Sequence, residues 1–319
     1  MDVILPIWVF VPVVAGFALL FAPPSARPLH KVSALVISIL ACVAAVALYR
    51  AGQAAWQWAI PLGAFDLDLV LQTTILSRFL LLFAVGISLG IVLYSLPAKH
   101  MPQPGAYYGA VLLALGASTG ILLTGHLLWL VIFWEIATVA LYLLVGSGGP
   151  SCRFAATKSF AMIAVSDAAL LLGVVMMWVL SGSGAEEHTF IMADMNIGTS
   201  SGWGIAAFLL LMLAAITKAG AMPLHTWVPT AGQDSPASVM ALLPAALDKL
   251  LGIYLLVLMV TRLFVLHSGP LTLVLAAIGS ATILLAVMVA MVQHNLKKLL
   301  SYHAVSQVDS LDRLPHPDF

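Results

Sequence analysis

At 319 residues, 62% hydrophobic and 8% charged, with a mean hydropathy of +1.09, the chain cannot clothe a water-facing surface at ordinary charge density. That excludes a water-soluble globular protein and places the chain in a lipid bilayer. Its 13 basic and 13 acidic residues sum to zero net charge without a basic run ahead of the tail, which excludes a nucleic-acid binder.

The first apolar stretch, Val3–Ala22, has no basic residue before it and Arg27 and Lys31 after it. This is the reverse of a cleaved signal peptide, so the stretch reads as a retained span with the N-terminus outside the cytoplasm. A bilayer core of ~30 Å takes about 20 helical residues. Runs of that kind predict spans near 3–22, 32–49, 76–96, 106–124, 126–146, 155–180, 204–222, 237–260 and 270–293, and a shorter run at 297–308 could open a tenth. The fold class is therefore an all-α polytopic membrane protein. Between the second and third spans, Trp56 to Thr74 alternates weakly and contains Pro61 and Gly63, which suits an exposed hairpin with interfacial tryptophans. Residues 181–202, rich in Gly, Ser and acids, read as an extracytoplasmic loop. With the N-terminus outside, inner loops collect Arg27, Lys31, Lys99, Arg153, Lys158, Lys297 and Lys298, whereas outer loops hold Arg50, Arg78 and Arg262. That distribution satisfies the positive-inside rule. From Val308 the chain turns to charge and proline.

Charged side chains inside these runs carry the functional signal, because one near a bilayer centre costs roughly 2.5–3.5 kcal/mol on insertion scales. Glu135 on the fifth span has nothing nearby in sequence to neutralise it. A buried carboxylate has its pKa raised by desolvation and lowered by a neighbouring lysine, so its proton affinity depends on that partner's charge. Asp167 sits mid-span on the sixth run, where a helix-packing hydrogen bond is the alternative explanation. Lys218 precedes Pro223, which should break the helix, and an interrupted membrane helix survives only where protein or water satisfies the freed backbone. His225 and Pro229 follow the break; a histidine there titrates near neutrality and suits a proton path, though histidines at membrane edges are often merely interfacial. On the next run Pro244 loosens the helix ahead of Asp248 and Lys249, which point about 100° apart and can face different neighbours. A relay competes here with simple interhelical charge pairing. Cys42 and Cys152 lie far apart with no metal-ligand or disulfide spacing and read as small apolar fillers. No phosphate-cradling glycine loop or nucleophile elbow is present in the sequence, so any redox cofactors belong to other subunits.

Four segments in order, Trp134-Glu135, Lys218-Ala-Gly-Ala-Met-Pro223-Leu-His225-Thr-Trp227-Val-Pro229, Lys249-Leu-Leu-Gly252-Ile-Tyr254 and Asn295-Leu-Lys297-Lys298-Leu-Leu-Ser301-Tyr302-His303, carry a resemblance. They are similar to the antiporter-like membrane subunits of respiratory complex I (NADH-quinone oxidoreductase), of membrane-bound hydrogenases and of multisubunit Mrp sodium/proton antiporters. The sequence departs from the family pattern at Asn295 and Thr230, where the family has aspartate, and at Asp248 beside the lysine.

The resemblance implies a fold of about fourteen helices containing two inverted five-helix repeats, each with one broken helix. It implies helices 1–3 over 1–100, the first repeat over 101–262, the start of an incomplete second repeat over 263–308 and a polar tail over 309–319. It also implies a relay in which Lys218 is the repeat's lysine, Glu135 its partner acid and Lys249 the link onward, with Asp167 similar to an acid of the sixth helix. The implied function is translocation of protons, or sodium, as a subunit of a larger respiratory, hydrogenase or Mrp complex in the cell's inner membrane. The chain itself would hold no cofactor or metal. The competing expectation is a truncated, transport-incompetent fragment or scaffold subunit.

Overall fold

The computed structural model describes residues 4–23, 25–62, 65–98, 103–182, 188–266 and 269–307. Gly63, Lys99, the acids Glu186 and Glu187, and the tail 309–319 lie outside the described residues.

In hydrocarbon every backbone N–H and C=O must be bonded within the protein, which apolar runs achieve as helices. The helices are α1 (Leu5–Phe21), α2 (Arg27–Ala51), α3 (Ile75–Ser95), α4 (Pro104–Leu123), α5 (Leu127–Gly146), α6 (Arg153–Ser181), α7 (Gly202–Ala219), α8 (Trp227–Asp234), α9 (Ala237–Leu242), α10 (Asp248–Leu258), α11 (Gly269–Met291) and α12 (Leu296–Ser306). A π-turn at Leu243–Leu247 joins α9 to α10, so Ala237–Leu263 forms one long span, with Pro244 in the widened turn that its missing N–H favours. Among the described residues 8 helices are long and apolar enough to cross a membrane, and Leu5–Phe21 is a shorter apolar helix. The protein is thus an all-α, multi-pass membrane protein, as its composition requires. Helix α2 starts at Arg27, ahead of the expected 32, because Pro28 fits a first helical turn, where its missing N–H costs nothing.

The chain forms two compact units. The first comprises Met1–Phe160 and Asp234–Leu247. Its centre is α4, which packs against α1, α5, α2 and α3. Of the most apolar window of α4, 94% is buried, against 33% for α2 and for α3, whose remaining faces suit lipid. The hairpin between α2 and α3 consists of β1 (Ala55–Trp58), β2 (Pro61–Leu62), β3 (Phe65–Asp66) and β4 (Leu69–Gln72), with β1–β4 and β2–β3 antiparallel. Leu69 and Leu71 face inward and Trp58 is exposed. Thr74 and Ser77 exchange side-chain and backbone hydrogen bonds of 3.0 and 2.8 Å, capping α3. At the other end of α3, the Lys31 ammonium donates to the carbonyls of Leu96 and Ala98, offsetting the negative helix terminus.

The second unit comprises Ala161–Gln233 and Asp248–Phe319. Here α10 packs along α7 and α12 against α11, while β5 (Ile197–Gly198) pairs in parallel with β6 (Phe264–Val265). Within the 181–202 loop, His188 and Phe190 stack on Trp178 at centroid distances of 4.5 and 5.7 Å.

Candidate functional site

The second unit gathers charge in its interior. Lys218 on α7 is 0% exposed, Asp248 on α10 is 0% exposed and Asp167 on α6 is 1% exposed. The charges of Lys218 and Asp167 both act on the Asp248 carboxyl. Neither Asp248 oxygen has a hydrogen-bond partner among the described residues. Three helices therefore bring two carboxyls and one ammonium together, and local interactions explain how.

Helix α7 ends just after the lysine. Gly220 adopts φ +77°, a left-handed conformation that glycine enters without a Cβ clash. Its N–H donates to Thr217 O at 3.1 Å and that of Ala221 to Ile216 O at 2.8 Å, the paired bonds of a Schellman terminus. The Trp227 indole N–H adds a 2.9 Å bond to the same Thr217 carbonyl from the start of α8. The interruption thus lies at Gly220, three residues before Pro223, the residue expected to cause it. Lys218 consequently occupies the last turn of α7, where the partial negative charge of the helix C-terminus favours a cation.

Gly252 sets the distance to α10. A Cβ there would lie 2.5 Å from Ala215 O and 2.6 Å from Ala219 N, both backbone atoms of α7 that cannot rotate away. The missing side chain allows close approach one turn from Asp248. Gly252→Ala should force α10 off α7 at a cost of about 1–3 kcal/mol. The expected result is a lower thermal midpoint in size-exclusion measurements on the detergent-purified protein; an unchanged midpoint would show that the helices are not this close.

The other sequence-derived candidates divide. Lys249 follows Asp248 and is 9% exposed. His225 is half-buried, its ring 6.0 Å from that of Tyr302 on α12. Pro229 is buried in α8, and Pro223 follows a cis peptide bond in the turn between α7 and α8. Glu135 belongs to the first unit, where it is exposed on α5. Of the two cysteines, both free, Cys152 does more than fill space: its thiol donates to Asp234 O at 3.0 Å.

Sequence reasoning missed Thr282. Buried on α11, it accepts the Met222 N–H at 3.1 Å and so satisfies a backbone donor freed by the break. Ser280, two residues earlier, is an equally polar interruption of the same apolar run but is exposed, so no local signal distinguishes the two.

Residues 124–310 match the family described as NADH:quinone oxidoreductase/Mrp antiporter, TM. The chain belongs to this family. Among curated relatives, it is 30% identical over 310 residues to NAD(P)H-quinone oxidoreductase subunit 5, chloroplastic, of Lemna minor, covering 92% of this chain and 41% of the relative. The Cryptomeria japonica protein of the same name is 30% identical over 329 residues, covering 95% and 42%. The chain therefore spans about two fifths of the length of these relatives. The fold is shared with a chain of the Mrp complex from a Dietzia species (TM-score 0.82, 21% identity, covering 98% of this chain and 58% of that one). It is shared as well with a chain of the archaeal membrane-bound sulfane sulfur reductase (0.80, 23%, covering 98% and 52%). A chain of Thermus thermophilus respiratory complex I aligns with TM-score 0.70 at 20% identity, covering 97% and 62%. The antiporter-like family expected from the four motifs is thus borne out.

Proposed function

We propose that this antiporter-like protein translocates protons as a membrane subunit of a larger redox-driven or Mrp-type assembly, with Glu135, Lys218 and Lys249 as the groups that take up and release them. The observation that carries this reading is the buried Asp167, Lys218 and Asp248 cluster beside an interrupted helix. Fully ionised, these three groups sum to −1, and a proton on Lys249 brings the set of four to neutrality. Loss of that proton leaves net negative charge in a low-dielectric interior, which draws in a replacement. Asp167 and Asp248 thereby hold the lysines' charge in place, and His225 near the interruption would pass protons toward Lys218.

The same reading makes 101–262 the first antiporter repeat and 263–308 the beginning of the second. Membership in an assembly is supported by the fold shared with chains of the Mrp complex, of respiratory complex I and of the membrane-bound sulfane sulfur reductase. The distribution of Lys and Arg supports an extracytoplasmic N-terminus in the inner membrane of the cell.

In vesicles containing the assembled complex, Glu135→Gln is expected to lower proton uptake, read by a pH-sensitive dye, by about tenfold or more. Normal uptake with normal assembly would remove Glu135 from the path. Running the assay with and without a sodium gradient identifies the ion: protons alone predict no sodium dependence, whereas coupling to sodium predicts uptake that follows the gradient.

A further inference from the structure

We infer that Thr282 is a positioning residue for the interrupted helix, tying α11 to the segment that carries Lys218. The inference rests on the proton-relay reading above and adds a control point to it.

Between α7 and α8 the chain leaves helical geometry in the second unit, and its backbone donors need partners there. Those of Gly220 and Ala221 are met by the end of α7 itself, and that of Val228 by His225 O at 3.0 Å. Pro223 has none to satisfy. Met222 differs, because its N–H is met from outside the segment, by the Thr282 hydroxyl. That hydroxyl donates its own proton to Ile278 O at 2.7 Å, which fixes its rotation and leaves a lone pair directed at Met222. The bond is made by a side chain that is 0% exposed, and it holds Met222, four residues after Lys218 and one before the proline. On the next helix, the Tyr302 ring meets that of His225, so the packed pair α11 and α12 touches the interruption at two points. A shift of this pair would reach Lys218 through a short stretch of hydrogen-bonded chain.

The bond acts on a backbone donor, so a substitution can remove it without altering charge or volume. Thr282→Val keeps the branched shape and loses the acceptor; Thr282→Ser keeps the hydroxyl and restores it. In the purified complex, amide exchange over 221–226 should rise about tenfold in Thr282→Val and stay near the parent rate in Thr282→Ser, as expected for a buried donor losing its partner. Proton uptake by Thr282→Val should fall several-fold with a displaced pH profile, and Thr282→Ser should restore both. Unchanged exchange in Thr282→Val would overturn the tie. Raised exchange with the parent's uptake and pH profile would overturn the positioning role. If Lys218→Met also leaves uptake intact, the relay reading fails, and the exchange measurement alone still decides whether Thr282 holds the break.

Discussion

Replacing Lys218 by arginine in the assembled complex is expected to preserve assembly and stop proton translocation. The side chain is fully buried on α7, which packs along α10, and its charge acts on Asp248. Two roles fit that placement. In one, the ammonium is a static counter-ion that lets two acids stay inside the membrane. In the other, it gives up and regains a proton in every cycle. Arginine separates them, because a guanidinium keeps its positive charge but does not deprotonate in proteins, whereas a lysine ammonium releases its proton when surroundings favour the neutral amine. A static role predicts near-normal uptake for Lys218→Arg, subject to the fit of a larger head group. The relay predicts loss of about a hundredfold or more, comparable to Lys218→Met. The measurement is proton uptake per electron transferred, or per sodium exchanged, normalised to assembled complex. Normal stoichiometry in Lys218→Arg would reduce the cluster to an interhelical ion pair.

The charges that mark this site were legible because apolar sequence makes any ionisable residue conspicuous. Lys218, Asp167 and Asp248 stand out for their cost in hydrocarbon, and three helices do bring them together. What the sequence left open was which charges share an interior. Glu135 and Lys218 look alike along the chain, each flanked by apolar residues, yet Glu135 is exposed on α5 and Lys218 is buried. The difference depends on which face of a uniformly apolar helix each residue occupies, and α5 carries no polar stripe to reveal it. The position of the helix break was legible in part. Pro223 is the stronger breaker by chemistry, but Gly220 directly after the lysine's turn is the residue that ends α7, through the left-handed terminus only glycine adopts readily. Thr282 was out of reach because its partner lies 60 residues away and its local pattern resembles that of Ser280.

A second variant tests the cluster as an energetic unit. Removing Lys218 while both acids remain leaves the interior carboxyls short of one cation. Breaking a buried pair in this way typically costs about 3–5 kcal/mol, reduced here to the extent that a carboxyl takes up a proton. Lys218→Met should therefore lower the thermal midpoint of the complex as well as abolish uptake. Adding Asp248→Asn removes one of the two stranded charges with almost no change in volume. Because neither Asp248 oxygen has a hydrogen-bond partner among the described residues, the amide forfeits no bond seen there. The double variant should recover a substantial part of the lost midpoint, with a coupling of about 0.5–3 kcal/mol between the positions, while uptake stays lost. Recovery without transport would separate the balancing of the acids by the lysine's charge from the proton transfer proposed for it. Additive losses would instead mean that Asp248 answers to Lys249 rather than to Lys218, and the coupling would then lie within α10.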